Sequence, residues 1–225
     1  MRLKRMLTKS NFRIYFMELV IVILGISIAY QVNVYYEQGL NRQLELTAIE
    51  NLRQENEINI QEFKSLEAYR ERITNKSVAL MKLLKQAQPI SKDSAEAYVF
   101  WLVQTSTPDL QQEASNFYLS SNYGNSNLEL KNQLLTLKTY IQELMDMSEG
   151  YKDRKYADYM RFLQDAVDFD ERKVVNLEKI RSVSFKNIIW NQTSDEFELN
   201  RLYKQATKKL DEVQLLVEEV LKENK

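Results

Sequence analysis

The stretch MELVIVILGISIAYQVNVYYEQ, residues 17–38, decides the fold because it contains an unusually long apolar run. Every residue from Leu19 to Ala29 is apolar or small. If Glu18 is tolerated, the run extends over residues 14–36, and about 20 helical residues suffice to cross a hydrocarbon core of about 30 Å. The sequence therefore predicts a transmembrane helix over residues 14–36.

The residues on either side of this run predict its orientation. The segment before Glu18 has no acidic residue. Cytoplasmic flanks of membrane helices carry an excess of lysine and arginine, so residues 1–13 are predicted to be a cytoplasmic tail and residues 37–225 to be exported. The basic residues that set this topology are Arg2, Lys4, Arg5, Lys9 and Arg13. The polar and aromatic residues that mark the exit from the membrane are Gln31, Asn33, Tyr35 and Glu37.

A cleaved signal peptide is the alternative interpretation of the run. Ser27, Ile28 and Ala29 loosely imitate a small-x-small cleavage site. The large side chains of Ile26 and Ile28 and the lack of a helix-breaking residue before the site argue against cleavage. The sequence therefore favours an uncleaved anchor.

Four residues of the predicted helix share one stripe. At about 100° per residue, Glu18 lies about 20° from both Gly25 and Ala29, and Val22 falls on the same side. Small residues spaced four apart let two helix backbones approach closely, so the stripe is a candidate interface with another membrane helix. In the alternative interpretation, Glu18 extends to the cytoplasmic headgroups near Arg13. An ionisable group inside a membrane span also suits ion or proton handling.

The segment carries a spaced pattern that consists of Glu18, Gly25, Ile26, Ile28, Ala29, Gln31, Asn33, Tyr35 and Glu37. This pattern resembles the start of a bacterial family of single-pass membrane proteins of unknown function. Members begin with a basic tail, continue with a span of the form E-x6-G-I-x-I-A-x-Q-x-N-x-W-x-E, and end in an exported helical region. Tyr35 stands here in place of the Trp, and Met17 stands where a Gly commonly precedes the Glu.

A second segment, FYLSSNYGNSNLELKN at residues 117–132, is similar to the family's Y-x-x-L-x-S-S-G-x-L-x-L segment. Two extra residues separate Ser121 from Gly124 here. The resemblance implies a topology and an architecture but no activity. It places the chain in a bacterial inner membrane, with the N-terminus in the cytoplasm and the C-terminal domain in the periplasm.

Long helices are predicted for the exported part, because the whole chain has only 4 Gly and 2 Pro. Residues 40–87 carry apolar residues at helical spacing, and Pro89 ends this helix. A last helix begins at the capping pair Thr193 and Glu196 and is the predicted antiparallel partner of the first. The predicted fold class is all-α, with one N-terminal transmembrane helix continuing into an elongated helical bundle that contains a long, coiled-coil-like antiparallel helix pair.

Shorter helices are predicted between these two long ones. Their starts are indicated by capping pairs and by a proline at the first helical position. These signals are Asp93 with Glu96, Thr107 with Pro108, and Ser126 with Glu129.

The sequence predicts no catalytic or metal-binding chemistry. The chain has no His and no Cys, which excludes imidazole and thiolate metal sites and the usual activated nucleophiles. Asp165 and Asp168 are predicted to share a helix face, but their spacing fits no calcium loop. Aromatic residues from Tyr98 to Trp101 suit either a ligand-stacking surface or a core. We therefore predict no cofactor, no metal and no enzymatic activity.

Charge and topology together limit the expected partners. The net charge of −1 gives no overall footprint for nucleic acid. The membrane is the first predicted partner, and a protein partner or a second copy of the chain, bound through the transmembrane helix, is the second. The sequence identifies no small-molecule substrate.

Three functions fit these observations. The leading hypothesis is a membrane-anchored helical scaffold that recruits partners on the periplasmic side. The second is an accessory subunit of an ion- or proton-driven membrane complex in which Glu18 carries the ion. The third is a periplasmic ligand sensor that uses the Tyr98–Trp101 region.

Overall fold

The protein is almost entirely α-helical in the computed structural model, which describes residues 9–121 and 127–224, with side chains from residue 14 onward. About 83% of the chain is helical, so the all-α class is confirmed. The predicted features at Arg2, Lys4, Arg5, Gly124 and Ser126 lie outside the described residues. The helices are α1 (Lys9–Lys85), α2 (Lys92–Val99), α3 (Glu113–Ser120), α4 (Leu128–Arg154), a π-helix (Lys155–Met160), α5 (Arg161–Leu163), α6 (Leu177–Arg181) and α7 (Val183–Glu223), and the two short strands are β1 (Val167–Asp168) and β2 (Lys173–Val174).

The chain divides into two units, residues 1–47 and residues 48–225. In the described part of the first unit the backbone is helical throughout, which agrees with the predicted helix over 14–36. The second unit holds the hydrophobic core, which consists of two clusters of buried side chains.

The first cluster lies among α4, α7 and the part of α1 that belongs to the second unit. Leu52, Leu134 and Leu210 are among its fully buried side chains, and they come from three different helices. Buried apolar side chains recur at helical spacing along each helix, which is why three long helices can share one core.

The predicted antiparallel pairing of the first and last helices is confirmed. Phe63 of α1 packs edge-on against Tyr203 of α7 with 5.7 Å between ring centroids. Further along α1, the hydroxyl oxygen of Ser77 lies 2.6 Å from that of Thr193, which comes earlier in α7 than Tyr203. The two helices therefore run in opposite directions.

The second cluster brings the shorter elements together. Val99 of α2, Tyr159 of the π-helix and Phe185 of α7 are all buried there. Tyr159 donates a hydrogen bond of 2.6 Å to the main-chain oxygen of Val99, and its ring stacks against Phe185 with 6.2 Å between centroids. These contacts join α2 and α7 to the π-helix.

Several predicted helix starts are wrong because a different residue supplies the cap. α2 is capped by Ser91, whose side chain accepts from the Ser94 N–H, two positions earlier than the pair at Asp93 implies. Glu96 instead accepts a hydrogen bond of 2.8 Å from the Val174 N–H. The helix predicted to start at Pro108 begins only at Glu113, and residues 108–112 are not helical.

The largest error concerns the last helix. α7 begins at Val183, where the Ser182 side chain accepts from the Phe185 N–H. Thr193 and Glu196, which the sequence pattern marks as a capping pair, are therefore mid-helix residues, and both are buried. The cap of α4 is likewise Asn127, which accepts from the Leu130 N–H.

The acidic stretch at residues 165–171 forms a turn instead of the predicted helix face. Val167 pairs with Val174 in a two-stranded antiparallel hairpin, and Arg172 in the turn has a φ of 53°. Asp168 accepts from the N–H groups of Asp170 and Glu171 at 2.9 and 3.0 Å. The carboxylate therefore satisfies main-chain donors of its own turn.

Candidate functional site

The first candidate site is the stripe on α1 that the sequence indicates. Glu18, Val22, Gly25 and Ala29 all lie in helical backbone with exposed positions. A Cβ added to Gly25 meets nothing within 4 Å, so this surface is open in the single chain. Contact of the stripe with another helix stays a prediction.

The remaining sequence-predicted residues of the first unit also lie on α1. Lys9 and Arg13 are in helical backbone. Gln31 and Tyr35 are exposed, and Asn33 donates a hydrogen bond of 2.8 Å to Glu37 one turn later. The polar groups at the predicted membrane exit thus pair with each other along the helix.

The surface around this stripe is apolar on every side. α1 is the one helix in the described chain that is long and apolar enough to cross a membrane, and none of its apolar window is buried. Large aliphatic side chains such as Leu19, Ile21 and Leu24 are more than half exposed. Burial of such a surface in lipid or against another protein is favourable, because burying apolar area stabilises by about 25 cal/mol per Å².

The second candidate site is a buried polar network, which the sequence analysis missed. Arg70 of α1 donates to Glu196 of α7 at 2.6 Å, and the two side chains are 3% and 0% exposed. The Tyr151 hydroxyl of α4 donates to the other oxygen of the same carboxylate. One glutamate therefore joins the three long helices.

Burial and the negative charge of Glu196 keep the Tyr151 hydroxyl protonated. Burial, followed by the negative charge of Glu196, holds the pKa of Tyr151 far above its ordinary value of 10.0. The hydroxyl thus stays protonated as a permanent donor. Gln192 stands beside it, with its Nε2 3.4 Å from the hydroxyl and 3.3 Å from the main-chain oxygen of Leu102.

Two further polar pairs hold α1 and α7 in register next to this network. The hydroxyls of Ser77 and Thr193 are 2.6 Å apart, and Thr193 also donates to the main-chain oxygen of Ile189 at 2.7 Å. Asn200 donates to Thr74 at 2.7 Å. These contacts fix one alignment of the two helices, because sliding by a turn would leave buried polar groups unpaired.

Lys155 is the other titratable group buried in this region. It begins the π-helix, its side chain donates to the main-chain oxygen of Gln104, and the ammonium lies 4.8 Å from the centroid of the Tyr151 ring. Burial lowers the pKa of Lys155 to about 8, although the nearby Glu196 charge acts in the opposite direction. Single-turn π-helices occur often at functional sites.

A pocket of about 210 Å³ adjoins Lys155 between the end of α4 and α7. Arg154 and Asp195 line it and form an ion pair of 2.9 Å. A larger groove of about 540 Å³ runs between α1 and α7 and is lined by Arg70, Tyr203 and exposed charged side chains of both signs.

Polar residues of α1 also bind the segment before α3. The Asn59 amide donates to the Gln111 main-chain oxygen at 2.8 Å and accepts from the Gln111 N–H at 2.9 Å. Glu55 accepts from the N–H groups of Ala114 and Ser115 at 2.6 and 3.0 Å, so its charge sits at the start of α3. Polar positions on the predicted α1 seam thus serve to hold a non-helical segment.

The aromatic stretch from Tyr98 to Trp101 is largely core. Phe100 is buried in the second cluster, and Tyr98 packs against it. Trp101 is 38% exposed, and its ring lies 5.2 Å from the Lys76 ammonium, at the same distance as the Tyr98 ring. A lysine of the chain itself therefore occupies the faces that a ligand would need.

The residues described by the structure contain no group of three His, Cys, Asp or Glu side chains that could hold a metal ion. The densest acidic stretch forms contacts within the protein, since Asp165 pairs with Lys179 at 2.7 Å.

Comparisons with family models, curated proteins and solved structures find no match to this chain.

Proposed function

We propose that this protein is a membrane-anchored helical scaffold whose exported domain recruits partner proteins. One observation carries the proposal, namely that the apolar window of α1 is long enough to span a bilayer and has no part buried within the protein. A helix that is apolar on all sides is stable in lipid or inside a large core. The described part of the chain supplies no such core around residues 14–32, where side chains are exposed throughout.

The proposed orientation rests on charge. The tail before Glu18 is basic and contains no acidic residue, and basic flanks stay in the cytoplasm. In a bacterium this topology puts the helix in the inner membrane and the domain from residue 48 onward in the periplasm. The resemblance of the anchor segment to a bacterial single-pass family supports the same placement.

The proposed association uses the Glu18, Val22, Gly25 and Ala29 stripe. An open surface at Gly25 leaves room for the backbone of a second helix. A partner helix, or a second copy of this one, would also provide a hydrogen-bonding group for Glu18 inside the bilayer.

The proposed role is non-catalytic. The chain has no His or Cys to act as base or nucleophile. Its buried Glu196 carboxylate accepts hydrogen bonds from Arg70 and from the Tyr151 hydroxyl inside the domain. Such a network suits a rigid domain that presents a fixed surface.

Purification from membranes tests the proposal. The full chain, extracted in mild detergent with an affinity tag, should elute with a protein partner or with further copies of itself, and its mass should exceed that of one chain. A chain that stays in the soluble fraction would contradict the anchor. A strictly monomeric chain without a partner, measured at several detergent concentrations, would contradict the scaffold.

A further inference from the structure

The side chain of Lys155 presents an unusual electrostatic arrangement. It is only 4% exposed, yet no carboxylate of the described residues lies within 4.0 Å of its ammonium. The nearby buried carboxylate, Glu196, already accepts hydrogen bonds from Arg70 and Tyr151. Charges inside proteins are ordinarily paired, so this ammonium lacks the counter-ion that burial calls for.

The adjoining pocket has a second unpaired charge of the opposite sign. Arg154 and Asp195 neutralise each other in their 2.9 Å ion pair. Asp158 also lines the pocket and is exposed, and its carboxylate has no hydrogen-bond or ion-pair partner among the described residues. One cation and one anion therefore remain for a molecule in the pocket.

Gln192, another residue of the pocket lining, has a buried amide oxygen. Its amide nitrogen faces the main-chain oxygen of Leu102, which can only accept, so this contact fixes which side of the amide carries the oxygen. The opposite atom, Oε1, has no partner in the described part of the chain, although the side chain is only 6% exposed. A buried acceptor without a donor is costly.

We propose that this pocket binds a small zwitterion of the α-amino acid class. The ligand carboxylate pairs with the Lys155 ammonium, and the ligand ammonium pairs with the Asp158 carboxylate. The volume of about 210 Å³ holds a molecule of several non-hydrogen atoms, since one water needs only about 10–15 Å³. The rings of Tyr151 and Tyr159 and the side chain of Ile188 supply the apolar part of the lining.

A purely structural role explains Lys155 poorly. Burial lowers its pKa to about 8, so the uncompensated charge opposes folding near neutral pH. A carboxylate bound next to it would restore the missing pairing. The proposal concerns the domain only and does not depend on the membrane anchor.

Calorimetric titration of the full chain in detergent tests the site. The probes are the proteinogenic L-amino acids one at a time, with acetate and ammonium chloride as ligands of a single charge. At least one amino acid should bind to one site per chain, and more tightly than either single-charge probe. Lys155→Met should weaken that binding by about tenfold or more, as expected for loss of a charge pair.

Two variants keep the test decisive. Asp158→Asn changes an exposed side chain, so it leaves the fold intact, and it should weaken the amino acid while acetate binding stays unchanged. Lys152→Met, at an exposed position about one turn earlier near the end of α4, is the matched control and should bind as the wild type does. The proposal is overturned if no amino acid binds the folded chain, if acetate binds as tightly as the best amino acid, or if both lysine variants bind alike.

Discussion

Arg70 and Glu196 form an ion pair of 2.6 Å between α1 and α7, and the two residues are separated by 126 positions in the sequence. The pair is almost fully buried, and the Tyr151 hydroxyl completes the hydrogen bonding of the carboxylate. Removal of one partner from a buried pair leaves an uncompensated charge in a low-dielectric interior.

We therefore expect Arg70→Met to lower the free energy of unfolding by about 3–5 kcal/mol. The measurement is urea unfolding of the detergent-solubilised chain followed by circular dichroism. Arg201→Met removes an exposed partner of Glu198 and should change the free energy by less than about 1 kcal/mol. An Arg70→Met chain as stable as Arg201→Met would show that the pair does not hold the helices together.

Tyr151→Phe removes one hydroxyl from the same network. We expect a loss of about 1–3 kcal/mol, because Glu196 loses a donor while it stays buried. Because the pKa of Tyr151 is raised, the folded state keeps the hydroxyl proton above pH 10, where the unfolded chain loses it. The contribution of this hydroxyl to the free energy of unfolding is therefore fully present below pH 10 and is lost as the pH rises above it. Tyr156→Phe, at an exposed position, is the control and should follow the wild type at every pH.

Lys155→Met should have the opposite effect on stability. The pKa of Lys155 falls from 10.5 to about 8 on folding, so between these values the unfolded chain binds more protons and the wild type gains stability as the pH rises. At pH 7 the methionine variant should be the more stable protein, by on the order of 3 kcal/mol. Unfolding curves at pH 7, 8 and 9 measure the difference, which should shrink with increasing pH. A destabilised methionine variant would contradict an unpaired buried charge.

Gly25→Leu tests the association stripe without disturbing the single chain. A side chain at this position meets no neighbour within 4 Å, so the monomer should fold normally. Its bulk should separate two helices that pack through the stripe, and the oligomer or partner complex should dissociate in detergent. Val20→Leu, about 140° away on the helical wheel, should leave association unchanged. Equal association in the two variants would place the contact on another face.

Local patterns predicted the helices well but predicted the network poorly. The long helices follow from the scarcity of Gly and Pro and from apolar spacing, both of which can be read within a few turns of sequence. Thr193 and Glu196 match a capping pattern by their spacing, yet Ser182 provides the cap and both residues lie inside α7. Their true partners, Ser77 and Arg70, are more than a hundred residues away, and no local signal identifies them.

The buried lysine was missed for a similar reason. The residues around Lys155 look like the polar face of an ordinary helix in the sequence. Burial arises only because the π-helix and the main chain at Gln104 approach from different parts of the chain. Lys155 follows the charged residues Lys152, Asp153 and Arg154, and nothing in that local sequence indicates a buried side chain.

Site-directed labelling tests the central claim, a membrane anchor with an exported domain, most directly. The chain has no cysteine, so one introduced thiol gives the only label. In intact bacterial cells with a permeable outer membrane, a membrane-impermeant maleimide should label Lys208→Cys, whose side chain is 79% exposed, and should leave Ser10→Cys unlabelled until the cells are lysed. Labelling of Ser10→Cys alone before lysis, or of neither thiol, would contradict the proposed topology.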